Sequence, residues 1–580
     1  EAEGEFYGEV FQDSDVAKWL EAVAYSLTTH YDPALEKAAD QVIDLIARAQ
    51  QPDGYLNTFF IGDQADLRWS NLTEDHLIEA AVAYYQATGK DQFLKVVRRY
   101  ADHIDSVFGS EPEKLKGYPG HEEVELALVK LFQVTKEERY LNLAKYFVNE
   151  RGQKPSYFDL EYEQCADKKR YRNPREWGLK YSQAHLPVRE QTSAEGHAVR
   201  AMYLYAAMAE LAKETRDAQL AEVCKTLWKS VTQRRMYVTG GIGSQAYGEG
   251  FTVDYDLPND TSYTETCASI GLIFWAQRML NLEADSRYAD VLERALYNGA
   301  LAGMSLDGKQ FFYVNPLEVW PEACANRHDH RHVKTTRQSW FSCACCPPNL
   351  ARLLASLGQY VYSYGENEVY VHLYMGGKAD FALLDTKVQL EQSTDFPWDG
   401  KVDVTINPAK KREFTLCLRI PGWCRRPHLS VNGEKLELAP IMEKGYAKIT
   451  RLWSKGDRVR LVLPMETERI YAHPSARMNA GKVALARGPL VYCLEEIDNG
   501  PVLASISLPR QAAFEASFVP DLLGGVTEIR FEGFRTEKPH GDELYTTTPP
   551  EQIATSIRGI PYYAWNNRGE GEMLVWIRES

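Results

Sequence analysis

The sequence predicts a multidomain chain of mixed class, a helical domain built from αα-hairpins followed by β-sandwich modules. Two periodicities carry that reading. Over the first ~360 residues apolar side chains recur at helical spacing, broken by long loops rich in Gly, Pro, Asp and Tyr. From about residue 366 the pattern changes to short runs that alternate apolar and polar, the period of half-buried strands. At 580 residues the chain is long enough for at least two folding units, although a helical barrel can hold more than 300 residues in one.

The helical unit is an apolar helix, a short polar turn and a second helix. It reads DVAKWLEAVAYSL with PALEKAADQVIDLIARAQ within 15–50, then AVAYYQATGKDQFLKVVRRY at 81–100 and LVKLFQVTKEERYLNLAKYF at 128–147. It recurs as MAELAKETRDAQLAEVCKTLW at 208–228 and FWAQRMLNLEADSRYADVLERALY at 274–297. Irregular repeats of this kind suit an open solenoid or a closed double ring of helices. The residues that open the first helix of each unit favour the ring. Asp13 and Asp15, His76, His121, His197, Cys267 and the pair Cys345-Cys346 each precede or begin an apolar helix. A ring of six such helices would bring all six openings to one rim, whereas a solenoid would string them along a ridge. Each opening could also be only a helix cap, which is what Asp or His at such a position does by default.

The strands follow in order as VYVHLYMG, KVDVTINP, EFTLCLRIPGW, YAKITRLW and RVRLVLPM, then KVALARGPLVYCLEE, with turn signals such as VNGEK and SKGDR between them. They read as one or two β-sandwiches, with a boundary near 465–475 if there are two.

Composition narrows the function. The charge is 66 − 81 = −15, which provides no basic field for a nucleic-acid backbone or an anionic membrane. No apolar run approaches the roughly 20 residues that would span a bilayer. The 34 Tyr and 12 Trp offer flat surfaces on which sugar rings stack. The ten cysteines are too sparse for a disulfide scaffold and cluster at 343–346, which suits a reducing, cytoplasmic setting and a metal or catalytic use.

Cys343-Ala344-Cys345-Cys346-Pro347-Pro348 places three thiols at a helix opening, where the helix dipole lowers thiol pKa values and prolines fit the first turn. Glu265-Thr266-Cys267 can bring a carboxylate and a further thiolate to the same rim. Three thiolates and one carboxylate suit tetrahedral zinc, and would leave the site at a formal charge of about −2. Spacing alone does not establish this set. Before it lies GGIGSQAYGEGFTVDYDLPNDTSYTETC, a Gly-rich loop carrying Glu249, Asp254, Asp256 and Asp260 that allows close approach and supplies a tunable proton donor. Its GxGS element lacks the Lys-Ser/Thr and the strand-to-helix setting of a phosphate loop.

At these motifs the chain resembles glycoside hydrolase family 127, the β-L-arabinofuranosidases, over essentially its whole length. The resemblance rests on TGGIGSQAYGEGFTVDYDLPNDTSYTETCASIGLIFWA, FFYVNPLE and WFSCACCPPNLARLLASLGQY. It implies an (α/α)6 barrel over 1–362 and two β-sandwiches over 363–468 and 469–580. It implies a zinc ion held by Glu265, Cys267, Cys345 and Cys346, and exo release of L-arabinofuranose from an arabinose-containing oligosaccharide with retention of configuration. Carried over by motif, Cys345 is the nucleophile, Glu249 the general acid/base, and His76, His121, His197 and Tyr313 the sugar-binding residues. Dimerisation through the sandwiches is a further implication, and Cys343 receives no role. The stretch NLTEDHLIEAAVAYY ahead of and around His76 is shorter than the family's corresponding Cys- and His-containing segment.

Two other readings keep the fold. One is a metal-free sugar epimerase or inverting hydrolase working with loop carboxylates or histidines, for which a thiol cluster has no use. The other is a carbohydrate-binding scaffold with a structural zinc.

Overall fold

The structure, a computed structural model, describes residues 11–62, 75–164, 177–383, 385–537 and 544–580. The shortened stretch ahead of His76 lies outside them.

The helical part contains α1 (Asp13–Thr29), α2 (Pro33–Ala49), α3 (Asp75–Thr88), α4 (Gln92–Val107), α5 (Val124–Thr135), α6 (Glu138–Glu150) and α7 (Tyr157–Gln164). It continues with α8 (Ala198–Thr215), α9 (Ala218–Arg234), α10 (Thr266–Leu282), α11 (Ser286–Arg294), α12 (Pro321–Asn326) and α13 (Cys346–Ala355). Packing closes a ring: α1 lies against α3, α3 against α5, α5 against α8, α8 against α10, α10 against α13, and α13 against α1. Helices α2, α4, α6, α9 and α11 each back the inner helix that precedes them. Side-chain patterning explains the two layers. Helix α8 buries every residue from Ala198 to Ala212 except Arg200, as an inner helix must. Outer α4 buries one stripe, Phe93, Val96, Val97, Tyr100, Ala101 and Ile104, and leaves its other face to water. Asp32, Asp217 and Asp285 cap α2, α9 and α11 with their carboxylates, fixing the hairpin turns.

The six inner helices meet at one cation. The Arg352 guanidinium, 1% exposed, donates to Glu21 of α1 at 2.8 Å, to Glu79 of α3 at 2.9 Å and to Glu123, the residue preceding α5, at 3.4 Å. It also donates to the Tyr203 hydroxyl of α8 at 3.1 Å and lies 5.0 Å from the centroid of Phe274 on α10. Asn349, one turn earlier on α13, accepts from its Nε at 2.6 Å.

Two antiparallel-rich sheets follow. A five-stranded sheet contains Tyr362–Tyr364, Glu368–Val371, Arg412–Arg419 and Tyr446–Trp453, and a six-stranded sheet contains Thr386–Thr394, Lys401–Pro408 and Asp457–Val462. Alternate residues of the two, among them Val371, Leu390, Val404, Leu416, Ile449 and Leu461, form one core between them, so this module is a β-sandwich.

The second sandwich expected over 469–580 takes another form. Its strands form one ten-stranded sheet in which Leu490–Glu495, Gln552–Pro561, Val526–Thr536, Ile506–Leu508, Ile577–Glu579 and Lys482–Arg487 pair in turn, and the last pairs back with the first. The pairing therefore closes, and the two layers are opposite walls of one sheet. Alternation records it: Val483, Leu485, Leu490, Tyr492 and Leu494 fill the interior, whereas Ala484, Val491 and Cys493 face outward onto the helical part. That outer face packs on Tyr263, Phe312, Val314 and Leu317, and Glu318–Val319 of the helical part pairs with Met573–Leu574 at the sheet's edge.

Removing Arg352 leaves Glu123 buried without its cation, and Glu21 and Glu79 with Lys130 alone. Arg352→Met is therefore expected to cost about 3–5 kcal/mol of stability, read as a lower urea midpoint. Arg460→Ala, which breaks an exposed pair with Asp403, should leave the midpoint in place; equal effects would remove Arg352 from its central position.

Candidate active site

The N-terminal ends of the six inner helices surround a pocket. Its walls include Ser14 and Lys18 of α1, His76 of α3, His121, His197 and Tyr203, together with Glu249, Glu265, Cys267, Tyr313, Cys343 and Cys345.

Local backbone structure places each group. Glu265 immediately precedes α10 and Cys267 is its second residue, while Cys345 precedes α13 and Cys346 begins it, with Pro347 and Pro348 in the first turn. The FFYVN segment pairs with the strand ahead of α10: the Thr266 N–H donates to the Tyr313 carbonyl at 2.9 Å, and the Asn315 amide donates to the Thr264 carbonyl at 3.1 Å and to Thr266 Oγ1 at 2.9 Å. Tyr313 and Glu265 thus share one clamp. Glu249 ends a tight turn, Tyr247–Glu249, that lies against the segment leading to His197, where the Phe251 N–H donates to the Gly196 carbonyl at 2.9 Å. A Cβ at Gly250 would stand 2.4 Å from that carbonyl, so glycine is required for this approach.

Four side chains form a tight group. The Cys267 sulfur is 3.7 Å from that of Cys345 and 3.5 Å from that of Cys346, and the Cys345 and Cys346 sulfurs are 3.8 Å apart. Glu265 Oε1 lies 3.6 Å from Cys345 and 3.9 Å from Cys346, and Glu265 Oε2 is buried without a hydrogen bond among the described residues. Glu265, Cys267 and Cys346 are buried; of the four, Cys345 alone is partly exposed. These donors could hold a metal ion. A second group of similar type, His76, Glu79 and Glu123, has its charge met by Arg352.

Electrostatics distinguish the groups. Burial, and then the neighbouring Cys345, hold the Glu265 carboxyl well above its ordinary range, the response of an acid crowded by anions. Burial pushes the Cys267 thiol up, but hydrogen bonds from Cys345 and Cys346 outweigh it and bring it down to about 6. Burial keeps His76 and His121 well below the usual histidine range, so both rings are neutral. His76 Nδ1 lies 2.9 Å from Glu123 Oε1. His197 Nδ1 accepts from the Val199 N–H at 3.1 Å and caps α8, which leaves Nε2 to donate to Glu249 Oε2 at 2.9 Å. Burial raises the Glu249 carboxyl, but the His197 hydrogen bond and charge, then Tyr263 and Arg200, bring it below its ordinary value. The Tyr313 hydroxyl lies 3.4 Å from the Cys345 sulfur and 3.8 Å from that of Cys343.

The nine residues singled out in the sequence therefore come together, with Cys346 behind the wall that Cys345 forms. Others do not join them. Asp13 turns outward to bond the Thr58 N–H and hydroxyl, Asp254 pairs with Arg234 and Arg235, and Asp260 pairs with His330. Sequence reasoning missed Lys18, Tyr203 and Arg352. The available signal was a polar residue on an otherwise apolar stripe, as in Ser14, Lys18, Glu21 and Tyr25 of α1, spaced three or four apart.

Comparison with known proteins covers the whole chain. Residues 2–359 match the β-L-arabinofuranosidase GH127 catalytic domain, 368–465 the GH127 middle domain, and 467–578 the glycoside hydrolase family 127 C-terminal domain. A non-reducing end β-L-arabinofuranosidase of Bifidobacterium longum subsp. longum is 43% identical over 603 aligned residues, covering 100% of this chain and 90% of the relative. The crystal structure of a GH127 β-L-arabinofuranosidase from Geobacillus stearothermophilus T6 superposes with a TM-score of 0.97 at 57% identity, covering 100% of this chain and 92% of that one. A second GH127 β-arabinofuranosidase structure gives a TM-score of 0.87 at 37% identity, covering 100% and 89%. No helix among the described residues is long and apolar enough to cross a membrane. The thiol-lined pocket on a ring of helices, the two β modules behind it and these matches along the full length lead to one conclusion: the chain belongs to glycoside hydrolase family 127, the β-L-arabinofuranosidases.

Proposed function

We propose that this protein is a retaining exo-β-L-arabinofuranosidase in which Cys345 attacks the sugar and Glu249 moves the proton, on an (α/α)6 barrel spanning 1–362 with modules at 363–468 and 469–580. The observation that carries the reading is the unequal exposure of the four-residue group: Cys345 alone of the four is partly exposed, and Glu249 lines the same pocket with a carboxylate oxygen within 4.8 Å of one of Glu265. The names of the relatives supply the substrate class.

Glu265, Cys267, Cys345 and Cys346 fit a zinc ion. Zn–S bonds of about 2.3 Å in a tetrahedron put sulfurs about 3.8 Å apart, against 3.5, 3.7 and 3.8 Å here. When bound, zinc supplies positive charge that keeps the thiols deprotonated and makes sulfur a better leaving group. The chain's own residues perform the rest. Glu249 protonates the glycosidic oxygen as the Cys345 sulfur bonds to the anomeric carbon and the leaving alcohol departs. Glu249, now a carboxylate, takes a proton from water; that water's oxygen displaces the sulfur, and two inversions give retention. Neutral His76 and His121, with His197 and Tyr313, offer donors and acceptors for the sugar hydroxyls.

A scaffold with a structural zinc accounts less well for a half-open thiol, since structural sites are closed. A metal-free acid–base enzyme leaves the thiols without use, and two of its candidate loop carboxylates are engaged elsewhere, Asp254 in an ion pair with Arg235 and Asp260 in a hydrogen bond with His330. The free state of the nine described cysteines supports a reducing, cytoplasmic compartment.

The purified chain is expected to carry about one zinc per molecule by elemental analysis and to lose hydrolysis of an aryl β-L-arabinofuranoside when a chelator strips it. Cys345→Ser should abolish that hydrolysis; full activity would refute the nucleophile. Glu249→Gln should keep its zinc and lose about 10²- to 10⁴-fold in rate, most with poor leaving groups. The acid step needs protonated Glu249, so activity is present below its pKa and lost as pH rises through it. The His197 hydrogen bond depresses that pKa. His197→Ala should therefore move the alkaline limb of kcat/KM to higher pH whatever it does to the maximum, and an unmoved limb would dissociate the two residues.

A further inference from the structure

Two exposed aromatic patches flank the pocket, and the chemistry distinguishes them. On the Glu249 side, Trp177 is 41% and Tyr247 68% exposed, with ring centroids 4.7 Å apart at 50°. They are anchored to the pocket wall: Trp177 stacks on Tyr181 at 5.8 Å and 25°, Tyr181 meets His197 edge-on at 5.3 Å, and Arg200 lies 4.9 Å over the Tyr181 ring. Gly248 lies between Tyr247 and Glu249 at φ +67°, and a Cβ there would reach 3.7 Å from both Trp177 and Tyr181. The turn that carries Glu249 thus rests on this aromatic group. On the Cys345 side, Trp340 is 64% exposed and neighbouring Phe341 packs edge-on against Tyr313 at 5.9 Å.

We propose that Trp177 and Tyr247 form the binding platform for the second sugar, the neutral ring that departs on cleavage. The inference rests on the reading of Glu249 as the acid and Cys345 as the nucleophile. In a displacement the leaving oxygen stands opposite the attacking sulfur and within reach of the proton donor, so the ring attached to it passes over the Tyr247–Glu249 turn and away from Trp340. Sugar rings present C–H faces that pack on aromatic rings, and an exposed indole beside an exposed phenol suits such a face without requiring a particular pattern of hydroxyls. The platform belongs to the leaving group, so it sets which oligosaccharides are cut well and leaves the arabinose pocket unchanged.

The test compares methyl β-L-arabinofuranoside, whose leaving group has no ring, with a disaccharide of β-L-arabinofuranose on a second arabinose. Aryl substrates are avoided because their ring would also stack. W177A/Y247A is expected to lose about tenfold in kcat/KM on the disaccharide and less than about twofold on the methyl glycoside, with W177F retaining most of the preference. W340A should leave the ratio of the two substrates at the wild-type value. Equal losses on both substrates would make the pair a mere support for the Glu249 turn and overturn the proposal. So would no loss on either, or a selective disaccharide loss in W340A in place of the pair. If Glu249→Gln cleaves both substrates at the wild-type rate, the acid assignment fails by itself, and the substrate ratio of W177A/Y247A still reads the platform separately.

Discussion

One buried guanidinium holds the helical ring in register. Arg352 touches a residue from, or immediately preceding, every other inner helix, and its partners Glu21, Glu79 and Glu123 are themselves buried. Three carboxylates facing one interior would repel one another and shift their pKa values to shed charge; with the cation among them they become fixed acceptors of known direction. The pocket lies on the N-terminal side of this junction. His76 is coupled to it through Glu123, and the thiol pair at 345–346 lies two turns before Arg352 on the same helix.

The same problem, concentrated negative charge away from water, is handled twice in the barrel by different means. Below the pocket the cation is a side chain. At the pocket, Glu265, Cys267, Cys345 and Cys346 converge with atoms 3.5–3.9 Å apart, and Lys18 is the buried cation nearby, its pKa raised against the effect of burial by Asp15 and then by Cys345 and Cys267. A lysine beside the group moderates its charge. The contrast between a permanently neutralised group and one that can accept an ion separates structure from chemistry among acids and thiols that look alike in composition.

Much of the pocket was legible because its walls are built from helix openings. An imidazole or thiol where an apolar helix begins is conspicuous, and five such openings, with the acidic one at Asp13 and Asp15, point to a common rim. The capping alternative also proved true in one case, since His197 caps α8 with one nitrogen and serves Glu249 with the other. Asp13 was misleading for a local reason: its carboxylate is taken by Thr58. Arg352, Lys18 and Tyr203 were not legible because their significance lies in partners up to 331 residues away. Closure of the last sheet was hidden likewise, since strand alternation reports which faces are buried and is silent on whether the final strand returns to the first.

The C-terminal sheet reaches back to the rim of the pocket. Tyr562 donates its hydroxyl to the carbonyls of Asn315 and Pro316, Arg337 is held by the Trp565 carbonyl, and Val575 donates its N–H to Leu317. Asn315 is the residue whose amide clamps Thr264 and Thr266 on either side of Glu265. The backing of the clamp therefore comes from a segment 247 positions further along the chain, so a substitution at Tyr562 acts on the Glu265 wall through Asn315 without touching the pocket itself.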